Sequence, residues 1–474
     1  MNKKRNCIIF GAGFTGKNAY FKLNLIYHVA GFADNNRSLW GQRIYDVPVL
    51  QPDHIKKFDC DVVICSDYFE QIQKQLLDMG ITQIRMIEPD SYMLYEYFPD
   101  HKLEPVEFPE LMQPYKKKSS RMHILFVQQH PCIRTHKIAE TLYSRGIDVS
   151  IAYTAQTPAS SCPGYAGIWT ECAAFFSIKD LLDYVNKSEY DLVHSSNEPD
   201  SLTGLLLCTN KPVVHDTHDF MSLNYKADRD MLAMEYLANA CSHGLLYVNQ
   251  ANLELAEQRF HIDRKKAAVI ENRPSETVLP KKYLPKLSHF DHEIHCVYEG
   301  GIHKDPAYFR YMEKIWVKLA QSGVHVHFYT KTDPDYCREV EKKHEKIHYE
   351  GELQDADLIT ELTQYDCGLL LFQDLPEYRL ILDTALPNKI FEYLMAGLPE
   401  VVGNVKSHKQ FVEKYKTGLC LDFTKDIREQ IAAAAEITVS HDFILKHQLT
   451  MQSQADVLIE FYKKIIHTYK ENIQ

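Results

Sequence analysis

The sequence predicts an α/β protein of three parallel-sheet domains in series, a small one followed by two larger ones. Three observations carry that reading. The chain has 474 residues, too many for one ordinary domain at roughly 150 residues each. Short apolar runs alternate with helical patterns along its length, the pattern of parallel sheets covered on both faces. The alternation also starts afresh twice, at Met122 and at Ile294, so the three blocks read as Rossmann-like domains.

The first block, 1–100, opens with Cys7-Ile8-Ile9-Phe10-Gly11-Ala12-Gly13-Phe14-Thr15-Gly16, an apolar run, a G-x-G-x-x-G turn and a helical pattern. Gly11, Gly13 and Gly16 predict a phosphate-binding βα turn. A second strand, 29–33, ends in Asp34, where an acid would meet a ribose hydroxyl. Further strands are expected at 61–65 and 84–87. Pro99, Pro105, Pro109 and Pro114, followed by Lys116-Lys117-Lys118-Ser119-Ser120, predict a linker over 101–120, its lysines a solvated tether or a weak attraction to an acidic membrane surface.

The second domain, 121–285, is expected to place strands at 122–127, 148–153, 191–194, 212–215, 244–248 and 267–270. The third, 286–440, places them at 294–298, 324–329, 347–349, 367–372, 400–402 and 418–421. A helical stretch then fills 441–474.

Composition narrows the function. With 45% hydrophobic and 25% charged residues the chain is globular. Its net charge of −11 argues against a dedicated nucleic-acid binder. No apolar run approaches the roughly 18 residues that a membrane span needs, and the amino end leads straight into a strand, so a cytoplasmic location is expected. The 12 cysteines include no CxxC pair, and neither a zinc site nor a disulfide framework is expected.

The most informative stretch is Leu386-Pro387-Asn388-Lys389-Ile390-Phe391-Glu392-Tyr393-Leu394-Met395-Ala396-Gly397-Leu398-Pro399. Pro387 suits the opening turn of a helix, whose free amides face any bound anion. Lys389 adds a positive charge there. Glu392 lies one turn in from Asn388, and its acceptor-only carboxylate can take both hydroxyls of a ribose diol. Gly397 stops the helix. Ile390, Phe391, Leu394 and Met395 form the apolar stripe of an amphipathic helix, which leaves Pro387, Lys389 and Glu392 for a site.

This stretch resembles the donor motif of GT-B glycosyltransferases of the retaining family 4 type, P-x-K-x-x-E-x-x-x-x-G-x-P, and the likeness spans about residues 121–474. The first block is similar to the nucleotide-sugar-binding N-terminal domain of bacterial sugar acyltransferases, on Gly31-Phe32-Ala33-Asp34-Asn35 and Val47-Pro48-Val49. No tyrosine in it has a lysine four positions on, so a short-chain redox role is not expected.

The resemblance implies transfer of a sugar from a nucleoside diphosphate sugar to a glycan or lipid-linked hydroxyl acceptor. It implies retention at the anomeric carbon, with no metal and no other cofactor. The setting would be surface polysaccharide or glycoconjugate synthesis, with peripheral membrane association possible in principle. The residues at 441–474 would cross back onto the earlier domain. Donor binding falls to Gly300, Gly301, Lys304, Asp383, Thr384, Pro387 and Asn388; Thr384 stands where the family's E-x7-E pair has its first glutamate, with Asp383 the neighbouring acid. His218, Asp219, Lys389 and Glu392 are the catalytic candidates, and Arg134, His136, His194, Asn197 and Glu198 face the acceptor. The D-x-D triplets Asp59/Asp61 and Asp355/Asp357 read as strand and helix starts, not metal ligands. Two rivals are a GT-B-fold sugar-nucleotide 2-epimerase or polyol-phosphate transferase, and a non-catalytic nucleotide-sugar-binding subunit.

Overall fold

A computed structural model of the chain describes residues 4–87, 94–97, 103–106, 113–154, 167–175, 177–224, 227–353 and 355–473. The chain divides into two compact units. One comprises Met1–Pro131, Asp148–Val193 and Cys208–Lys211; the other comprises Cys132–Ile147, His194–Leu207 and Pro212–Gln474.

The first unit begins with an eight-stranded sheet in the order Arg43–Ile44, Val47–Leu50, Tyr27–Ala33, Arg5–Phe10, Asp61–Ile64, Ile84–Ile87, Leu94–Tyr97, Leu103–Val106. Its centre is parallel and its last two strands are antiparallel additions. Strand Leu103–Val106 occupies part of the span expected as linker. It is the edge strand, the position in a sheet where a proline such as Pro105 is tolerated. The tether lysines are not free either. Lys116 pairs with Glu189 at 3.2 Å, Lys117 with Asp191 at 2.5 Å, and buried Tyr115 stacks on Tyr190. Pro99 and Pro109 lie outside the described residues. The same unit holds parallel strands in the order Trp169–Ala174, Asp148–Tyr153, His123–Gln128.

The second unit carries strands Leu192–Ser196 (from His194), Val213–Thr217, Gly244–Tyr247 and Ala267–Val269, in that order. A six-stranded parallel sheet follows: Ile347–Tyr349, Val324–Tyr329, Ile294–Glu299, Cys367–Leu370, Glu400–Val402, Gly418–Cys420. Both faces of this sheet are covered, and its strands bury His295, His327, Glu299 and Glu400 among their apolar residues. Trp316, Tyr298 and Phe328 fill one face, and Tyr365, Phe391 and Tyr393 the other. The final helix, Ala455–Ile473, packs on the earlier strands. A Cβ added at Gly244 would lie 2.9 Å from both Phe461 and Ile465, so only a glycine admits the helix at this distance. No helix among the described residues is long and apolar enough to cross a membrane.

Candidate functional site

The residues expected to bind the donor gather near the carboxyl ends of strands Ile294–Glu299 and Cys367–Leu370, where open α/β sheets bind ligands. Helix Asn388–Met395 begins one residue later than the sequence implies. Pro387 is the extended residue before its first turn, with no side-chain cap on the amides that follow. Tyr393 fixes the helix to the sheet. Its ring lies where a Cβ on Gly368 would sit 2.3 Å away, and its hydroxyl donates to the Leu369 carbonyl while accepting from the Glu299 amide. That clamp sets Glu392 against Glu299.

The two carboxyls hydrogen-bond to each other, and burial together with the Glu299 charge pushes Glu392 well above the usual carboxylate range. Lys137, on helix Ile133–Ser144, and Lys389 oppose that shift. The charges of two buried lysines therefore act on this acid pair, although 255 residues separate Lys137 from Glu392 in sequence. Sequence reasoning missed Lys137, which reads as an ordinary helical lysine.

Lys389 is 8% exposed. Its Nζ stands 4.4 Å from the centre of the Tyr298 ring, a cation–π contact. Gly300 makes room for it: its φ is +112°, and a Cβ there would come within 2.6 Å of the Nζ. Gly301 has Arg310 beside it, with Nη1 3.4 Å from where a Cβ would stand. Lys304 and Arg310 are both exposed and lie in the loop that follows Gly301. Asn388 is half-buried at the helix start.

Two expected donor residues are engaged elsewhere. The Asp383 carboxylate pairs with Arg379 at 3.1 Å and accepts the Lys406 amide at 2.8 Å, so it anchors a helix start. The Thr384 hydroxyl donates back to its own helix, to Leu380. Its carbonyl accepts from Asn249 Nδ2 at 2.5 Å, while Asn249 Oδ1 caps the helix Gln250–Phe260.

Asp216 organises the other side. Strand Val213–Thr217 runs two residues past its expected end and buries His215 and Asp216 completely. Arg134 holds Asp216 with two bonds of 2.9 Å. His194 Nε2 approaches at 3.2 Å and His218 Nε2 at 3.3 Å. Burial alone would raise the Asp216 carboxyl; Arg134, His218 and His194 instead hold it well below its usual range. Arg134 and His194 are thus corrected from acceptor contacts to core residues. Arg134 is 1% exposed, and His194 is wedged between Asp216 and the Tyr462 hydroxyl, its pKa lowered by burial.

His218 is the member of the set that reaches solvent. Asn197 clamps its loop, accepting the His218 amide at 3.0 Å and donating to the Asp219 carbonyl at 2.5 Å, so Asn197 positions the loop and does not face an acceptor. Asp216, not Asp219, is the acid that orients His218. Glu198 is exposed with a left-handed φ of 71°, and His136 is half-buried on its helix.

In the small domain Gly11 has φ +112°, and a Cβ on it would lie 2.5 Å from the Cys65 carbonyl oxygen; one on Gly16 would lie 1.7 Å from the Gly11 oxygen. Both are required by the turn itself. Gly13 faces open space. Asp34 does not present a free carboxylate to a ribose, because its oxygens accept the amides of Ala12 and Asn36, each at 2.7 Å, and so brace the turn. Asp61 is held by Arg5 and Arg85.

Comparison with known proteins fits this geometry. Residues 133–272 match the family described as Glycosyltransferase Family 4, and residues 310–441 match the Glucosyltransferase 3-like C-terminal domain. The protein is a glycosyltransferase. Residues 3–87 match the C2185-like N-terminal family. No curated protein matches the chain by sequence. Among solved structures it is similar to Anabaena HepE in complex with UDP, at 15% identity over 74% of this chain and 99% of that one, TM-score 0.50. It is likewise similar to HepE in complex with UDP-glucose, at 14% identity over 74% and 99%, TM-score 0.51. At these identities the likeness is one of fold, the GT-B arrangement.

Proposed function

We propose that the protein moves a glycosyl group from a nucleoside diphosphate sugar to a hydroxyl acceptor, with retention and without a catalytic metal, in the manner of family 4. The observation that carries this reading is the meeting of Lys389 with Gly300 and of Glu392 with Glu299 at one helix start. Lys389, Arg310 and the uncapped amides after Pro387 offer positive charge to a departing diphosphate. Glu392 accepts the ribose hydroxyls. Glu299 supplies the second carboxylate that Thr384 does not. His218, oriented by Asp216, takes or guides the acceptor hydroxyl proton.

UDP-glucose is the first donor to test, since the neighbouring fold binds it. The acceptor is a glycan or lipid-linked hydroxyl at the cytoplasmic face of the membrane, in polysaccharide or glycoconjugate assembly. The small domain holds a second nucleotide or nucleotide sugar, as in the bacterial sugar acyltransferases it resembles. Incubating the protein with a panel of labelled nucleotide sugars tests the reading. Nucleotide diphosphate release together with a glycosylated product supports it. Isomerised donor in the absence of acceptor selects the epimerase instead, and tight binding without turnover selects the non-catalytic subunit, which the engaged Asp383 and Thr384 would favour.

A further inference from the structure

A second constellation lies on the same sheet, away from the donor pocket. His295, His325, His327 and His348 come from three adjacent strands, and the register pairs His295 with His325 and His327 with His348 on one face. Glu299 is four residues beyond His295, so about 13 Å of strand separates the cluster from the donor carboxylates. One nitrogen from each of His295, His325 and His327 lies within 4.8 Å of the others.

The tautomers single out a cation position. His295 Nε2 bonds the Asp291 carboxylate at 2.9 Å, and His327 Nδ1 bonds Glu350 at 2.7 Å. An ionised carboxylate only accepts, so these ring nitrogens carry the protons. The remaining nitrogens, His295 Nδ1 and His327 Nε2, then both present lone pairs, yet they face each other at 2.9 Å. Two lone pairs at that distance need a cation between them, which either a shared proton or a metal ion supplies. A carboxylate behind each imidazole is also the arrangement that orients histidine toward a metal. His325 adds a third ring, with Nε2 at 2.9 Å from Glu293 and Nδ1 at 2.8 Å from His348 Nε2.

We infer that His295, His325 and His327 form a binding site for a zinc(II) ion that ties strands Ile294–Glu299 and Val324–Tyr329 together, separate from the transferase chemistry. Lys346 opposes the ion: its ammonium contacts Glu293 and stands 3.0 Å from His325 Nε2.

The test uses the full-length protein, stripped of metal with chelator and titrated with zinc chloride by calorimetry, with zinc absorption spectroscopy on the product. One zinc per chain is expected, with nitrogen ligands at about 2.0–2.1 Å. His295→Gln and His327→Gln should each weaken binding at least about tenfold, and Asp291→Asn about 10–100-fold. Lys346→Ala, a change at the rim that spares every ligand, should tighten it several-fold. Absence of stoichiometric binding to the wild type overturns the proposal and leaves a shared proton between the two imidazoles. Binding that Lys346→Ala fails to tighten, or that survives His295→Gln and His327→Gln unchanged, overturns it as well.

Discussion

Lys389→Met should make the protein more stable and a worse binder of its donor. Methionine nearly matches the length of the lysine stem and packs on the Tyr298 and Phe372 rings, whose centres lie 4.4 and 5.9 Å from the Nζ. Among the described residues no carboxylate stands within ion-pair distance of that Nζ, and the side chain is 8% exposed. Burying such an ammonium costs several kcal/mol, while a desolvated cation–π contact returns about 2. The balance predicts that the variant gains about 1–2 kcal/mol in urea unfolding. Binding moves the other way. A diphosphate charge about 4 Å from the ammonium interacts by about 4 kcal/mol at an effective dielectric of 20. Allowing for partial desolvation, a loss of about 2–3 kcal/mol raises the Kd for UDP by about 30–150-fold. Calorimetry and denaturation on the same samples decide the matter. Destabilisation with unchanged UDP affinity would show that Lys389 is a structural residue and refute the reasoning.

Three further outcomes follow from the same geometry. Glu392 sits above the usual carboxylate range through burial and Glu299, so above about pH 4.3 the folded protein holds a proton that the unfolded chain has released, and stability falls as pH rises toward the raised value; Glu392→Gln should therefore exceed wild type in stability at pH 8 by more than at pH 4, and a gap independent of pH would contradict the shared-proton account. Asp216→Asn leaves the Arg134 guanidinium buried with a neutral partner and should cost about 3–5 kcal/mol, largely recovered in the double variant Arg134→Met with Asp216→Leu; a loss under about 1 kcal/mol would remove Asp216 as the hub. Gly13 faces open space, so Gly13→Val should leave the melting temperature unchanged while lowering nucleotide stoichiometry in the full chain from two to one, and an unchanged stoichiometry would remove the small domain as a nucleotide site.

Much of the sheet architecture was legible in the sequence, because many buried parallel strands carry a short apolar run, as Asp61–Ile64, His123–Gln128 and Cys367–Leu370 do. Trp169–Ala174 was not, since an edge strand bearing Glu171, which accepts from the Tyr184 and Tyr190 hydroxyls, lacks that signature. At the site, the local motif gave Lys389, Glu392 and Gly300, whose spacing lies within one helix or one loop. Lys137, Arg310, Glu299 and Asp216 depend on which strand ends the topology brings together, which no local spacing encodes. Arg134 and His194 were misread for the opposite reason: a charged side chain after a strand reads as exposed until its buried partner is known. The histidine cluster did leave a trace, His325-x-His327 within a strand, where alternate residues share a face.

The most direct measurement is release of nucleoside diphosphate from UDP-glucose and related donors by the full-length protein in excess chelator, with wild type beside Glu392→Ala. Donor-dependent turnover that survives chelation and falls by at least about tenfold in the variant, with about 1.5–3 kcal/mol of transition-state stabilisation lost, is the predicted result. Turnover that chelation abolishes and only a divalent ion restores, or that Glu392→Ala leaves intact, would contradict a metal-independent donor site built on Glu392.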